Sequence, residues 1–90
     1  MFTEFINDEA GYLAWVQNNP EGFVLNIDHE GYFPQYPMVH KATHKLISSP
    51  ARTNYTTGKY YKVCSSDLKV LEEWSQTHRQ KKVTLCATCM

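Results

Sequence analysis

Two short motifs constrain this chain more than anything else in it. Near its end stands Cys86-Ala87-Thr88-Cys89, and a central stretch reads His40-Lys41-Ala42-Thr43-His44. Two thiols and two imidazoles are the ligand set of a structural zinc site, in which thiolate sulfurs and neutral imidazole nitrogens complete a tetrahedron. The Cys-x2-Cys spacing lets both sulfurs of one tight turn reach the same ion. His-x3-His does the same if residues 40–44 form one helical turn, because residues i and i+4 share a face. An ion held by His40, His44, Cys86 and Cys89 would close a long loop and pin a C-terminal segment that otherwise frays.

Size makes such a staple useful. Ninety residues are expected to form one domain, residues 1–90, and a core of that size leaves little net stability. Three cysteines, an odd number, fit a metal site better than a disulfide framework. Aromatic residues make up 13% of the chain, which argues for a folded globule over disorder. No apolar run is long enough for a membrane span. Met1-Phe2-Thr3-Glu4-Phe5 lacks the basic region and apolar stretch of a signal peptide. The expected compartment is therefore the cytoplasm, where thiols stay reduced.

Each ligand position has rivals. Cys64 ends an expected strand and competes with His40 or His44 for a place on the ion. His78 lies shortly before Cys86, where it also suits the end of a helix, and His29 sits in a loop between acids. A thioredoxin-like redox role for Cys86 and Cys89 is disfavoured. That chemistry places the first cysteine at a helix N-terminus, and only Met90 follows Cys89.

The remaining pattern predicts an α+β fold: a small, mostly antiparallel sheet with two helices, stapled by the zinc site. Asn7 is read as the N-cap of a helix over 8–18, with Tyr12, Leu13, Trp15 and Val16 as its apolar face and Pro20 beyond its end. Residues 23–27 read as a buried strand, 28–37 as a loop and 38–40 as a short strand. Over 41–47 a short helix and a tight metal-binding turn both fit. Residues 48–58 read as a loop and 59–64 as a strand rich in β-formers. Ser65 or Ser66 is expected to cap a second helix running to His78, with Leu68, Leu71 and Trp74 on one face. Residues 83–85 form the last strand.

The series Asn19-Pro20-Glu21-Gly22-Phe23-Val24-Leu25-Asn26, Val39-His40-Lys41-Ala42-Thr43-His44, Tyr61-Lys62-Val63-Cys64, Leu71-Glu72-Glu73-Trp74 and Cys86-x2-Cys89 resembles a small, largely uncharacterised bacterial domain family. In that family the position of His44 is often Cys, and the terminal Cys-x2-Cys is present. The resemblance covers nearly the whole chain. A His in place of Cys keeps a metal ligand, so the resemblance implies a metal site and no particular activity.

The formal charge is zero but sorted along the chain. Residues 1–30 hold six acids and no Lys or Arg, and residues 31–66 hold five cations and no acid. Three functional readings follow. The first is a zinc-stapled, non-enzymatic module for protein interaction or homo-oligomer formation, with Trp15, Trp74 and the tyrosines available for an apolar patch. The second is a nucleic-acid-binding accessory domain, in which Lys41, Lys45, Arg52, Lys59 and Lys62 meet phosphates while Tyr55 and Tyr60 stack on bases. The third and weakest is a metal-dependent hydrolase. The zinc-protease motif has Glu after its first His, where this chain has Lys41. Two His and two Cys would also leave no coordination position for a reacting water.

Overall fold

The computed structural model describes residues 1–31, 34–44, 47 and 55–90. It shows an α+β fold in which five strands, β1 (Thr3–Phe5), β2 (Phe23–Asp28), β3 (Met38–Lys41), β4 (Tyr60–Ser65) and β5 (Thr84–Leu85), combine with two helices, α1 (Glu9–Asn18) and α2 (Leu68–Arg79). The sheet order is β1-β4-β2-β3-β5. All pairs are antiparallel except β3–β5, which is parallel.

This order splits two crossovers around other strands. β1 and β2 run parallel with β4 between them, and α1 connects them. β4 and β5 also run parallel, with β2 and β3 between them, and α2 connects them. The two crossovers advance across the sheet the same way but start from strands of opposite direction. Right-handed connections therefore put the helices on opposite faces. The cores agree: Tyr12 and Val16 of α1 pack with Phe5, Val24, Ala42 and Cys64, whereas Leu71 and Trp74 of α2 pack with Leu25, Ile27, Val39 and Val63. Period-2 alternation separates the two sets, with Val24 on one face and Leu25 on the other. Because both faces are covered, β2 and β4 read as nearly continuous apolar runs rather than as alternating ones.

Several local expectations are corrected. Asp8, not Asn7, caps α1, its carboxylate accepting from the Gly11 N–H at 2.9 Å. Asn7 instead takes a left-handed turn (φ 55°) and donates its N–H to the Thr56 carbonyl at 2.8 Å, a conformation Asn tolerates better than most residues. Asp67, not Ser65 or Ser66, caps α2, accepting from the Lys69 N–H at 3.0 Å. Ser65 belongs to β4, and its hydroxyl donates to the Met1 carbonyl at 2.8 Å. β1 was not expected: three residues of which only Phe5 is buried carry no readable period. Of the expected 48–58 loop, 48–54 lie outside the described residues, while Tyr55 and Thr56 are buried. Among the described residues, no helix is long and apolar enough to cross a membrane.

Candidate metal centre

The sheet register brings the two motifs together. Val39 of β3 pairs with Leu85 of β5 in parallel, and the Cys86 N–H donates to the Val39 carbonyl at 2.9 Å. The residue after each pair, His40 and Cys86, therefore falls at the same level of adjacent strands. His40 shares the sheet face of its partner Val24, toward α1.

Residues 40–44 do not form the helical turn that would align a His-x3-His pair. His40 lies in β3, and a tight turn at Ala42–Thr43 swings the chain back to His44. The His44 N–H donates to the Lys41 carbonyl at 3.0 Å, and the buried Ala42 donates its N–H to the Gly22 carbonyl at 3.0 Å. This turn stacks the two imidazoles, with ring centroids 5.4 Å apart and planes 12° from parallel. On the other side the Cys86–Cys89 turn is closed by the Met90 N–H on the Cys86 carbonyl at 3.0 Å.

One ligand atom from each of His40, His44, Cys86 and Cys89 lies within 4.8 Å of every other. These four residues are close enough to bind a metal ion. In a tetrahedron with metal–sulfur bonds of about 2.3 Å and metal–nitrogen bonds of about 2.0 Å, ligand atoms sit about 3.3–3.8 Å apart, so a small contraction completes the site. The His40 Nδ1 to Cys89 Sγ separation is 4.0 Å. His40 and Cys86 are buried, and His44 and Cys89 are half-buried.

The electrostatics favour the ligand form at His40 and Cys86 and oppose it at Cys89. Burial, the adjacent His44 and the Lys62 cation push His40 down to about 4, so its imidazole is neutral at neutral pH. Burial raises the Cys86 thiol, but backbone and side-chain donors of Thr88 and Cys89 outweigh it and hold Cys86 below the ordinary thiol range. Cys89 is held above that range, first by burial and then by the neighbouring Cys86 sulfur, against the pull of the Lys41 N–H. That N–H reaches the Cys89 sulfur at 3.4 Å. Backbone donors of this kind orient and stabilise metal-bound thiolates. The Lys41 contact was not visible in sequence, because any residue supplies a backbone N–H.

Cys64 is not part of the cluster. It sits in the α1-face core, two strands from His40 through Val24, about 10 Å away at the usual strand spacing. Burial pushes its thiol up, as expected of an inert core cysteine. His29 and His78 also lie elsewhere: His29 packs on Tyr61 at 4.7 Å, and His78 stacks on Trp74 at 4.7 Å.

Of the residues expected to meet nucleic acid, Tyr55 and Lys62 are buried. Lys41 and Lys59 are exposed, Tyr60 is half-buried, and Lys45 and Arg52 lie outside the described residues. The Lys62 ammonium donates to the Asn26 side-chain oxygen at 2.8 Å and the Tyr55 carbonyl at 2.7 Å. Neither Tyr55 nor Lys62 is available to a phosphate or a base.

Fold and site together describe a small α+β domain with a possible His2Cys2 metal centre at the edge of its sheet. No family model, no curated protein and no solved structure matches the chain.

Proposed function

We propose that the chain is a zinc-stapled, non-enzymatic module whose role is protein interaction or assembly with its own kind. The observation that carries this reading is the convergence of two imidazoles and two thiols within 4.8 Å. This donor set suits Zn2+, and four protein ligands leave no position for a substrate or a reacting water. Alkaline-earth ions prefer oxygen donors, and none of these four side chains supplies one. A zinc ion here would act as a structural crosslink, held by His40 and His44 from β3 and its turn and by Cys86 and Cys89 from the end of β5.

An interaction role is supported by the apolar side chains left at the sheet edges. Phe2 and Ile6 flank β1 and are 43% and 47% exposed, while Leu85 of β5 is 52% exposed. Solvent-facing apolar groups at edges suit a partner surface. Light scattering on the zinc-loaded chain tests self-association, with a mass above one chain expected where the partner is a second copy. A monomer that captures no partner, yet binds a single-stranded oligonucleotide in a salt-dependent way, would overturn this reading in favour of the nucleic-acid one.

A further inference from the structure

β5 has little of its own to hold it. Thr84 and Leu85 are both exposed, so the strand buries almost no apolar surface. Two backbone bonds flank its pairing with β3, the Thr84 N–H on the carbonyl of Pro37, just before β3, and the N–H of Cys86, just after β5, on the Val39 carbonyl, each 2.9 Å. Half-buried Val83 adds a contact with the α2-face core. An edge pairing of two residues with few buried apolar contacts belongs to the parts of a fold that open at low cost.

The chain just before it is anchored separately. The Ser75 hydroxyl donates to the Lys81 carbonyl at 2.8 Å, and the Lys81 ammonium donates to the Pro34 and Tyr36 carbonyls at 3.1 and 2.6 Å. Among the described residues, the two cores are built from β1, β2, β3, β4, both helices, Ala42, Ile47 and Tyr55. From residues 83–90 these two clusters take only the flanking Val83, and Cys86 is itself buried at 6% exposure. The strong restraint on this segment is then the pair Cys86 and Cys89 facing His40 and His44.

We propose that residues 83–90 are a metal-dependent strap. With zinc bound, the strap covers the outer edge of β3. When the ion leaves, β5 detaches and uncovers that edge, including the Pro37 and Val39 carbonyls, while the four-stranded sheet and both helices stay folded. The strap rests on the zinc reading above, and it adds that the ion controls a local element and not the whole fold.

Residue-resolved hydrogen exchange on the full chain, zinc-loaded and then stripped with a chelator, tests it, with zinc content measured in both samples. Removal is expected to lower protection of the Thr84 and Cys86 amides by about 100-fold or more, and to leave the β2 and β4 amides within about threefold. The Cys89→Ser chain, without chelator, should reproduce the same local loss. Unchanged protection at Thr84 and Cys86 would overturn the strap while leaving the zinc site standing. Loss of protection throughout β2 and β4 would also overturn it, because the ion would then hold the whole domain. A chain that takes up no zinc would overturn both readings.

Discussion

The side-chain oxygen of Asn26 accepts a hydrogen bond from the Lys62 ammonium at 2.8 Å, across the β2–β4 pair. This contact places a buried cation on the α1 face of the sheet. The rings of Tyr12, Tyr55 and Tyr60 surround it, with centroids 6.0, 6.0 and 5.8 Å from the nitrogen. The Tyr55 carbonyl accepts a second bond, so Lys62 ties the segment before β4 to the sheet. A charge in this position is tolerated because its donors are met, and it would be costly otherwise.

Burial pulls Lys62 down to about 8, against the opposing influence of Glu9 and Cys64. Lys62→Met should cost about 1–3 kcal/mol at neutral pH, because it takes the donor from the buried Tyr55 carbonyl and the half-buried Asn26 side-chain oxygen. The native state gives up the Lys62 proton near pH 8 and the unfolded chain near 10.5, so this group's contribution to stability rises with pH between those values. Urea unfolding of both proteins at about pH 7.5 and about pH 9.5 checks it. The gap between native and variant is expected to widen at the higher pH, and a constant or narrowing gap would show that Lys62 is not held in this way.

Trp74 is 4% exposed in the α2-face core, and its indole N–H donates to the Glu4 carboxylate at 3.0 Å. Trp74→Ala is expected to cost about 3–5 kcal/mol. Trp74→Phe keeps most of the packing and loses the bond to β1, so it should cost far less. Chemical denaturation of the two variants checks both values. A cost below about 1 kcal/mol for the alanine variant would mark Trp74 as peripheral to the core.

Gly22 lies where α1 turns into β2. A Cβ there would meet the Trp15 ring at 2.5 Å and the Asn19 carbonyl oxygen at 3.2 Å. The ring can shift, but the carbonyl already accepts the Gly22 N–H at 2.9 Å. Gly22→Ala should therefore destabilise by about 1–3 kcal/mol. The Gly22 carbonyl also accepts from Ala42, in the turn that presents His44. Weaker zinc uptake should accompany the lower melting temperature in this variant.

Acid should act on the metal centre through His40. Its folded value of about 4 lies below the ordinary 6.5, so the unfolded chain binds this proton first. The stability it contributes is present above pH 6.5 and lost as pH falls toward 4. Zinc competes with the same proton, which narrows the loss to lower pH when the ion is present. A chelator dye following zinc release between about pH 7 and about pH 4 checks this, with release expected as protons displace the ion from its ligands.

Much of this was legible in the sequence because its signals are local. The 3.6-residue spacing of Tyr12, Val16, Leu71 and Trp74 marks the two helices, and the β-formers of 23–27 and 60–64 mark the two central strands. The four candidate ligands were legible because few residue types bind metal and their spacings are short. What was not legible depends on tertiary pairing. β1 has too few residues to show a period, and the parallel β3–β5 register, which sets His40 beside Cys86, involves strands more than forty residues apart. The choice of Asp8 over Asn7 as a cap turned on a backbone bond to Thr56. Tyr55 and Lys62 have the composition of a nucleic-acid surface, but sequence does not distinguish a solvated lysine from one buried among tyrosines.

The central claim is that His40, His44, Cys86 and Cys89 together hold one zinc ion. Elemental analysis of the purified full chain, alongside Cys86→Ser and Cys64→Ser, tests it most directly. One zinc per chain is expected in the native protein and in Cys64→Ser, with zinc lost from Cys86→Ser. Full zinc content in Cys86→Ser, or none in the native chain, would contradict the account.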